Sequence, residues 1–155
     1  MKDKNIIIGS DHAGFALKEK IKIFLLGKGL KAFDVGTFSE ESCDYPVYAA
    51  KLAEAVSRGK FKRGILACKT GIGDSIVANR FRGVRAALCY NATAARLCRE
   101  HNDSNVLVLG SLFVSRANMK KIITIWLNTE FSGGRHARRL NLIKKLEKKM
   151  GCIKS

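Results

Sequence analysis

The chain has 155 residues, 46% of them hydrophobic, and a formal net charge of +16. Its length fits one compact domain, and no apolar run approaches the roughly 20 residues that cross a bilayer, so no membrane partner is expected. The start, residues 1–4, lacks a signal-peptide profile, which predicts a cytoplasmic protein. Five cysteines without CxxC spacing and three scattered histidines argue against a disulfide framework and against a metal site.

Short apolar segments alternate with amphipathic helical segments along the whole chain. Strands are predicted at 5–9, 30–35, 65–68, 84–89 and 105–109; helices are predicted from 15 to the glycines at 27 and 29, and at 45–58, 75–79, 91–102, 117–127 and from 135 onward. This alternation predicts a single α/β domain over 1–155, doubly wound and Rossmann-like, with a five-stranded parallel sheet flanked by helices. Residues 135–155 are predicted to form an extra basic C-terminal helix and tail.

The strongly basic composition raises the question of a nucleic-acid partner. Eight basic residues and one acidic residue lie between 135 and the end. The lysines are scattered along amphipathic helices, however, and the tail lacks the interleaved aromatic side chains that stack on bases. A solvated surface that steers a small anionic substrate is therefore favoured, and no nucleic-acid partner is expected.

The segment 65–75 is the strongest candidate for a site. An apolar strand ends in Cys68, a glycine-bearing turn follows, and a helix is predicted from Ser75. Backbone N–H groups at the start of a helix bind anions, and the positive helix end favours the thiolate of Cys68 over the thiol. Such a cysteine suits acyl transfer, redox chemistry or proton abstraction beside a carbonyl. A buried, inert cysteine before an ordinary turn fits the same segment.

Other polar side chains follow the remaining strands. Asp11 and His12 come after the first strand and Tyr45 after the second, at the sheet edge where ligands bind in such folds. His101 ends a helix at the opposite edge, so it reaches Cys68 only across a subunit interface or through a bend.

Two further patterns bear on anionic ligands. Arg135 and Arg139 are four residues apart on one helix face and make a suitable phosphate clamp, although paired surface arginines are also common without a ligand. Asp34 ends the second strand where a ribose-binding acid would lie. A dinucleotide is disfavoured, because the first turn, Gly9-Ser-Asp-His-Ala-Gly14, is not GxGxxG.

Taken together, the motifs resemble ribose-5-phosphate isomerase type B, within the wider family that includes allose- and galactose-6-phosphate isomerases. The matching segments span nearly the whole chain in order: Gly-Ser-Asp-His-Ala-Gly at 9–14, Asp-Tyr-Pro at 44–46, Cys-Lys-Thr-Gly-Ile-Gly at 68–73, Ala-Asn at 78–79, His-Asn-Asp at 101–103 with Asn-Val at 105–106, and Gly-Gly-Arg-His at 133–136 with Arg139.

The resemblance implies an aldose–ketose isomerase that uses no metal or organic cofactor and works through a cis-enediolate. It implies that Cys68 moves the proton between C2 and C1, that Thr70 handles the hydroxyl protons, and that His101 opens the furanose ring. The implied substrate contacts are Asp11 at the ring oxygen or hydroxyls, His12 at the substrate and its phosphate, Tyr45 lining the pocket, Asn102 at a hydroxyl, backbone N–H groups of Gly71, Ile72, Gly73, Asp74 and Ser75 at the enediolate, and Arg135 and Arg139 at the phosphate. Relatives of this kind are homodimers or homotetramers whose sites use both subunits.

Three positions depart from the family pattern. Lys69 replaces a glycine or small residue, and Leu112 replaces an arginine that contributes to phosphate binding in many members; Lys69 and Arg116 are candidate substitutes. Asp74 stands where one branch of the family, which lacks the cysteine, has a glutamate as its base. Asp74 is therefore an alternative base, or else a charge at the N-terminus of a helix. Ribose 5-phosphate is the expected substrate. A six-carbon sugar phosphate and a non-catalytic anion- or nucleic-acid-binding role remain as alternatives.

Overall fold

The computed structural model describes residues 4–151. Residues 1–3 and 152–155 lie outside the described residues, so the expectations for the N-terminal residues 1–3 and for Cys152 and Lys154 of the basic tail fall there. Among the described helices, none is long and apolar enough to cross a membrane.

Five strands alternate with the first five of six helices along the described chain, and the sixth helix follows the fifth directly. They are β1 Asn5–Ser10, α1 Phe15–Gly27, β2 Lys31–Asp34, α2 Tyr45–Ser57, β3 Gly64–Cys68, α3 Ile72–Ala78, β4 Ala86–Leu88, α4 Ala92–Asn102, β5 Val106–Gly110, α5 Arg116–Asn128 and α6 Gly134–Gly151. The strands form one sheet of order β2-β1-β3-β5-β4, and every pairing is parallel. The predicted doubly wound α/β fold is confirmed.

Alternate residues of the central strands enter two cores, one on each face of the sheet. Ile6, Ile8 and Ile65 pack with α1, α4 and α5 on one face, where Trp126 is fully buried. Ile7 and Leu66 pack with α2 and α3 on the other face. Burial on both faces explains why these strands are continuous apolar runs without polar alternation.

The turn after β3 differs from the prediction, because α3 begins at Ile72 and not at Ser75. Gly71 adopts a left-handed conformation with φ of 82°, which non-glycine residues rarely take. The chain therefore reverses directly after Cys68, and the helix starts three residues earlier. This shift makes Asp74 the third residue of the helix.

A close approach between the turn after β1 and the end of β3 also depends on glycine. A Cβ atom at Gly14 would lie 2.0 Å from the carbonyl oxygen of Ala67 and 2.7 Å from the backbone nitrogen of Cys68. The backbone N–H of Gly14 in turn donates to Oδ1 of Asp11 at 2.8 Å. The polar residues after β1 are thereby held against the end of β3.

The carboxylate of Asp34 is already paired by side chains of α1. It contacts the ammonium groups of the fully buried Lys18 and of Lys22, and it accepts a hydrogen bond from the backbone N–H of Gly36 at 2.9 Å. These interactions hold the pKa of Asp34 below its ordinary value, although burial acts in the opposite direction. Asp34 therefore anchors α1 to β2 in this structure.

Candidate active site

Cys68 ends β3 at the carboxyl edge of the sheet, and its side chain is 5% exposed. The backbone N–H of Gly71 donates a hydrogen bond to Sγ of Cys68 at 2.9 Å, because the left-handed turn folds that amide back over the sulfur. Oγ1 of Thr70 lies on the same turn and accepts a hydrogen bond from the backbone N–H of Ile72 at 3.3 Å. The hydrogen bond from Gly71 thus fixes the position of the Cys68 thiol at the start of the turn between β3 and α3.

The predicted low pKa of Cys68 is wrong for the protomer. Burial, the charge of Asp74 and that of Asp11 together raise the pKa of the Cys68 thiol to about 11, and the backbone amides of Gly71 and Thr70 only partly oppose them. Desolvation disfavours the thiolate more than the helix start stabilises it. Lys69, the next residue in the chain, is exposed.

Asp74 lies beside Cys68 with only 1% of its surface exposed. Neither of its carboxylate oxygens has a hydrogen-bond partner among the described residues. Burial and the charge of Asp11 raise the pKa of Asp74 to about 7, while the Cys68 thiol lowers it. Asp74 lies in the first turn of α3, as its interpretation as a helix N-terminal charge requires, but it is buried, and its carboxyl group belongs to the same cluster as Cys68.

The elements around this cluster bring in three more of the predicted residues. Asp11 is buried, and its charge acts on both Cys68 and Asp74. His12 accepts a hydrogen bond at Nδ1 from the backbone N–H of Cys43 at 3.2 Å, which fastens the loop before α2. Tyr45 is the first residue of α2, and its ring packs over Gly73. A Cβ atom added at Gly73 would lie only 2.6 Å from the Tyr45 ring.

The segment after β5 closes the cluster on its other side. The backbone N–H of Ser111 donates to the Cys68 carbonyl at 2.8 Å, and that of Leu112 donates to the Lys69 carbonyl at 3.0 Å. The Leu112 side chain is 60% exposed, so this hydrophobic residue presents itself to solvent beside the site.

His101 and Asn102 lie apart from Cys68, at the opposite edge of the sheet. They end α4, and the next residues lead directly into the start of β5. The carbonyl of Asn102 accepts a hydrogen bond from Nε of Arg85, just before β4. His101 was predicted to reach Cys68 only across a subunit interface or through a bend, and its position at the opposite edge of the sheet is consistent with that expectation.

A second cluster forms where α6 begins. The His101 ring stacks on the His136 ring, with centroids 4.2 Å apart and planes within 8° of parallel. Burial, His101, Arg135 and Arg139 each lower the pKa of His136, and Glu100 opposes them. The exposed Arg135 and Arg139 therefore flank the histidine pair.

The predicted site residues, together with His136, thus fall into two groups. The first group, here called the thiol cluster, contains Asp11, His12, Tyr45, Cys68, Thr70 and residues 71–75; the second, the histidine–arginine cluster, contains His101, Asn102, Arg135, His136 and Arg139. Sequence reasoning gave His136 no role, although its position between the two arginines was a usable signal. Among the described residues, no group of three or more His, Cys, Asp or Glu is arranged to hold a metal ion.

A parallel doubly wound sheet with polar side chains at its carboxyl edge defines an α/β enzyme of the kind that binds small anionic ligands. Residues 6–143 match the family described as Ribose/Galactose Isomerase. The chain belongs to this family, which confirms the resemblance seen in the motifs.

Individual relatives are similar over almost their whole length. The chain is 44% identical to ribose-5-phosphate isomerase B of Escherichia coli, covering 94% of this chain and 98% of the relative. The solved structure of Clostridium thermocellum ribose-5-phosphate isomerase B has a TM-score of 0.92 at 49% identity, covering 94% of this chain and 99% of the other. A 4-deoxy-4-sulfo-D-erythrose isomerase from a Clostridium species is 38% identical, covering 96% of this chain and 94% of the relative.

Proposed function

We propose that this chain is an aldose–ketose isomerase that interconverts ribose 5-phosphate and ribulose 5-phosphate through a cis-enediolate, without a metal or organic cofactor. The observation that carries the proposal is the buried Cys68 thiol at the carboxyl edge of the sheet, in a chain that matches ribose-5-phosphate isomerase B over nearly its full length. The active unit is one sugar-phosphate isomerase domain, with the reaction located in the cytoplasm, where phosphorylated sugars are made and used.

Substrate binding uses both clusters. Arg135 and Arg139 bind the phosphate through their guanidinium groups, with His12 helping to orient it. Asp11 and Asn102 hold the sugar hydroxyls, Tyr45 lines the pocket, and His101 transfers the proton that opens the furanose ring.

The central step moves a proton between adjacent carbons. The Cys68 thiolate takes the C2 proton of the open-chain aldose, the electrons of that bond form the enediolate, and the resulting thiol returns the proton to C1. Thr70 transfers the hydroxyl proton between O1 and O2. Among the backbone N–H groups of residues 71–75, those of Gly71, Ile72 and Ser75 already donate to Sγ of Cys68, Oγ1 of Thr70 and the Gly71 carbonyl. The N–H groups of Gly73 and Asp74 therefore donate to the enediolate oxygen, which lowers the energy of the charge as it develops.

The two clusters must meet across a subunit interface for this chemistry. We propose a homodimer, or a homotetramer built from such dimers, in which one subunit supplies the thiol cluster and the other the histidine–arginine cluster. This arrangement would also lower the pKa of Cys68, which is about 11 in the isolated protomer. Arginine side chains brought near the thiol by the partner subunit would favour the thiolate.

Exposed apolar side chains on α6 support such an interface. Leu142, Ile143, Leu146 and Met150 are each at least 44% exposed, and they lie along a helix that follows directly from the histidine–arginine cluster. A stripe of this kind is typical of a surface that is covered by another subunit.

Isomerisation in D₂O tests the proposed function directly. Purified protein incubated with ribose 5-phosphate is expected to form ribulose 5-phosphate and to incorporate solvent deuterium at the carbon that is protonated. Mass spectrometry of the sugar measures both outcomes, and Cys68→Ala is the matched control without a thiol. A folded protein that produces neither ketose nor deuterated sugar, yet binds nucleic acid in a strongly salt-dependent way, would support the non-catalytic alternative.

A second substrate class is motivated by the segment around Leu112. Its hydrophobic, exposed side chain stands where many family members have a phosphate-binding arginine, and a relative at 38% identity is an isomerase named for a four-carbon sulfonated sugar. Ribose 5-phosphate should therefore be assayed beside allose 6-phosphate, galactose 6-phosphate and the sulfonated tetrose. A tenfold or larger preference in kcat/KM for one of the others would replace ribose 5-phosphate as the substrate.

A further inference from the structure

A pair of cysteines outside both clusters is arranged for reversible oxidation. Sγ of Cys89 and Sγ of Cys98 are 3.8 Å apart. Cys89 follows β4 and is 1% exposed, whereas Cys98 lies on α4 and is half-buried. The backbone of Cys89 is fixed to the sheet, because its N–H donates to the Val108 carbonyl at 3.1 Å.

A chain of hydrogen bonds is directed at the sulfur of Cys98. The indole Nε1–H of Trp126 donates to Oγ of Ser104 at 2.8 Å, and the Ser104 hydroxyl donates to Sγ of Cys98 at 3.1 Å. Because the indole occupies an acceptor position on the hydroxyl, the hydroxyl proton is free to point at the sulfur. The neighbouring Arg99 is buried and adds a positive charge.

These contacts make Cys98 the more acidic thiol of the two. The hydrogen bond with Cys89, the Ser104 hydroxyl and the charge of Arg99 lower the pKa of Cys98, against the effect of burial. The same interaction with Cys98, together with burial, raises the pKa of Cys89. One sulfur is thus ready to act as a nucleophile, and the other lies beside it as a thiol.

In the single subunit Cys98 is also reachable by a molecule as small as hydrogen peroxide. It lines a cavity of about 510 Å³ between α4 and α6, together with Asn102, Leu140 and Leu146. Ile143, Leu146 and Met150 of the α6 stripe proposed above as an interface border the same cavity. The distance between the two sulfurs must shorten by about 1.8 Å to reach that of a disulfide.

We propose that Cys98 and Cys89 form a peroxide-reactive thiol pair that closes to an intramolecular disulfide and is reopened by a dithiol. The Cys98 thiolate attacks one oxygen of the peroxide, the O–O bond breaks, and the departing hydroxide takes up a proton, leaving a sulfenic acid on Cys98. The Cys89 sulfur then attacks Sγ of Cys98, the S–O bond breaks, and the hydroxyl leaves as water with the Cys89 proton. Two thiols are oxidised, and one peroxide is reduced to two waters.

The disulfide would connect α4 to the residue that follows β4. Cys98 lies three residues before His101 on α4, so the bond would form close to the histidine–arginine cluster. This inference does not depend on the isomerase activity, because it concerns only the chemistry of the two sulfurs.

Peptide mapping of the full chain after brief treatment with hydrogen peroxide tests the pair. A cross-linked peptide containing residues 89 and 98 is expected in wild type, and it should disappear after dithiothreitol. Cys98→Ser should lose the cross-link, whereas Cys43→Ser, a change at another half-buried thiol, should keep it. Ser104→Ala should slow the reaction of Cys98 with peroxide at neutral pH by on the order of tenfold, the effect of about one pKa unit on the thiolate fraction.

Peptide mapping of the wild-type protein can by itself contradict the inference, so the test holds even if a variant fails to fold. Oxidation of Cys98 to sulfinic acid without a link would overturn it. So would a cross-link that instead joins Cys43 or Cys68, or faster oxidation of those thiols than of Cys98.

Discussion

The imidazole rings of His101 and His136 lie face to face, 4.2 Å apart and within 8° of parallel, and this contact joins the end of α4 to the start of α6. Two adjacent histidines next to Arg135 and Arg139 form a strongly basic neighbourhood. Burial and then the positive charges of His101, Arg135 and Arg139 lower the pKa of His136. The stack therefore positions His101, the residue proposed for ring opening.

Replacement of His136 by phenylalanine tests this relationship. The folded state resists protonation of His136, so the unfolded chain binds more protons once the pH falls below the ordinary histidine pKa of about 6.5. Wild type should therefore lose stability as the pH falls through that value, and His136→Phe, which keeps a flat ring, should lose less. Thermal unfolding at about pH 7.5 and about pH 5.5 measures the difference. An equal loss in both proteins would show that His136 does not contribute to acid sensitivity.

Ring opening can be separated from proton transfer with His101→Asn. A cyclic aldose must be opened before the C2 proton is accessible, whereas an open-chain aldose analogue needs no such step. The variant should therefore lose on the order of a hundredfold in kcat on ribose 5-phosphate and much less on an open-chain analogue. Steady-state kinetics on both substrates give the comparison, and equal losses would remove His101 from ring opening.

Cys68→Ser tests the proposed base. A serine hydroxyl is far less acidic than a thiol, so turnover should fall by about a thousandfold or more while binding of the substrate phosphate persists. Cys43→Ser is the matched control, because Cys43 is a half-buried thiol on a different segment. Retention of wild-type turnover by Cys68→Ser would transfer the role of base to another group, with Asp74 as the first candidate.

Asp74→Asn separates the two candidate bases, because the charge of Asp74 raises the pKa of the Cys68 thiol. With Cys68 as the base, the variant should keep substantial turnover, and its Cys68 should react faster with iodoacetamide at about pH 8 than in wild type, since the thiolate fraction rises. With Asp74 as the base, turnover should collapse even though the alkylation rate increases. Peptide mapping assigns the alkylation to Cys68.

The same variant has a consequence for stability. The pKa of Asp74 is about 7 in the folded chain, above its ordinary value of 3.8. The folded state therefore holds the proton more tightly, and wild type should lose stability as the pH rises from about 4 to about 7, by roughly 1.4 kcal/mol per unit at most. Asp74→Asn should remove most of this slope. Urea unfolding at several pH values measures it, and an unchanged slope would mean that Asp74 ionises freely.

Much of this architecture follows from the sequence, because a parallel strand buried on both faces must be apolar throughout. The five apolar runs therefore predicted the sheet, and the strand ends predicted Asp11 and Cys68. The burial of Asp74 was not predictable, since a carboxylate in the first turn of a helix ordinarily faces solvent. It depends on the left-handed Gly71, which starts α3 early and places residue 74 beside the thiol. The high pKa of Cys68 follows from the same burial, and the His101–His136 stack depends on how two distant helices pack.

Gly14→Ala tests the close approach that holds the thiol cluster together. The added Cβ atom would meet backbone atoms of Ala67 and Cys68 at 2.0 to 2.7 Å, and backbone cannot move aside as a flexible side chain can. The start of α1 must therefore shift away from β3, at a cost of about 3 kcal/mol in the free energy of unfolding, and Asp11 moves with it. Gly27→Ala is the matched control, because its Cβ atom meets nothing within 4 Å and it ends the same helix. Urea unfolding of both variants should show a large loss for Gly14→Ala and little or none for Gly27→Ala. If the two variants were equally stable, the packing of α1 on β3 would not require glycine at position 14.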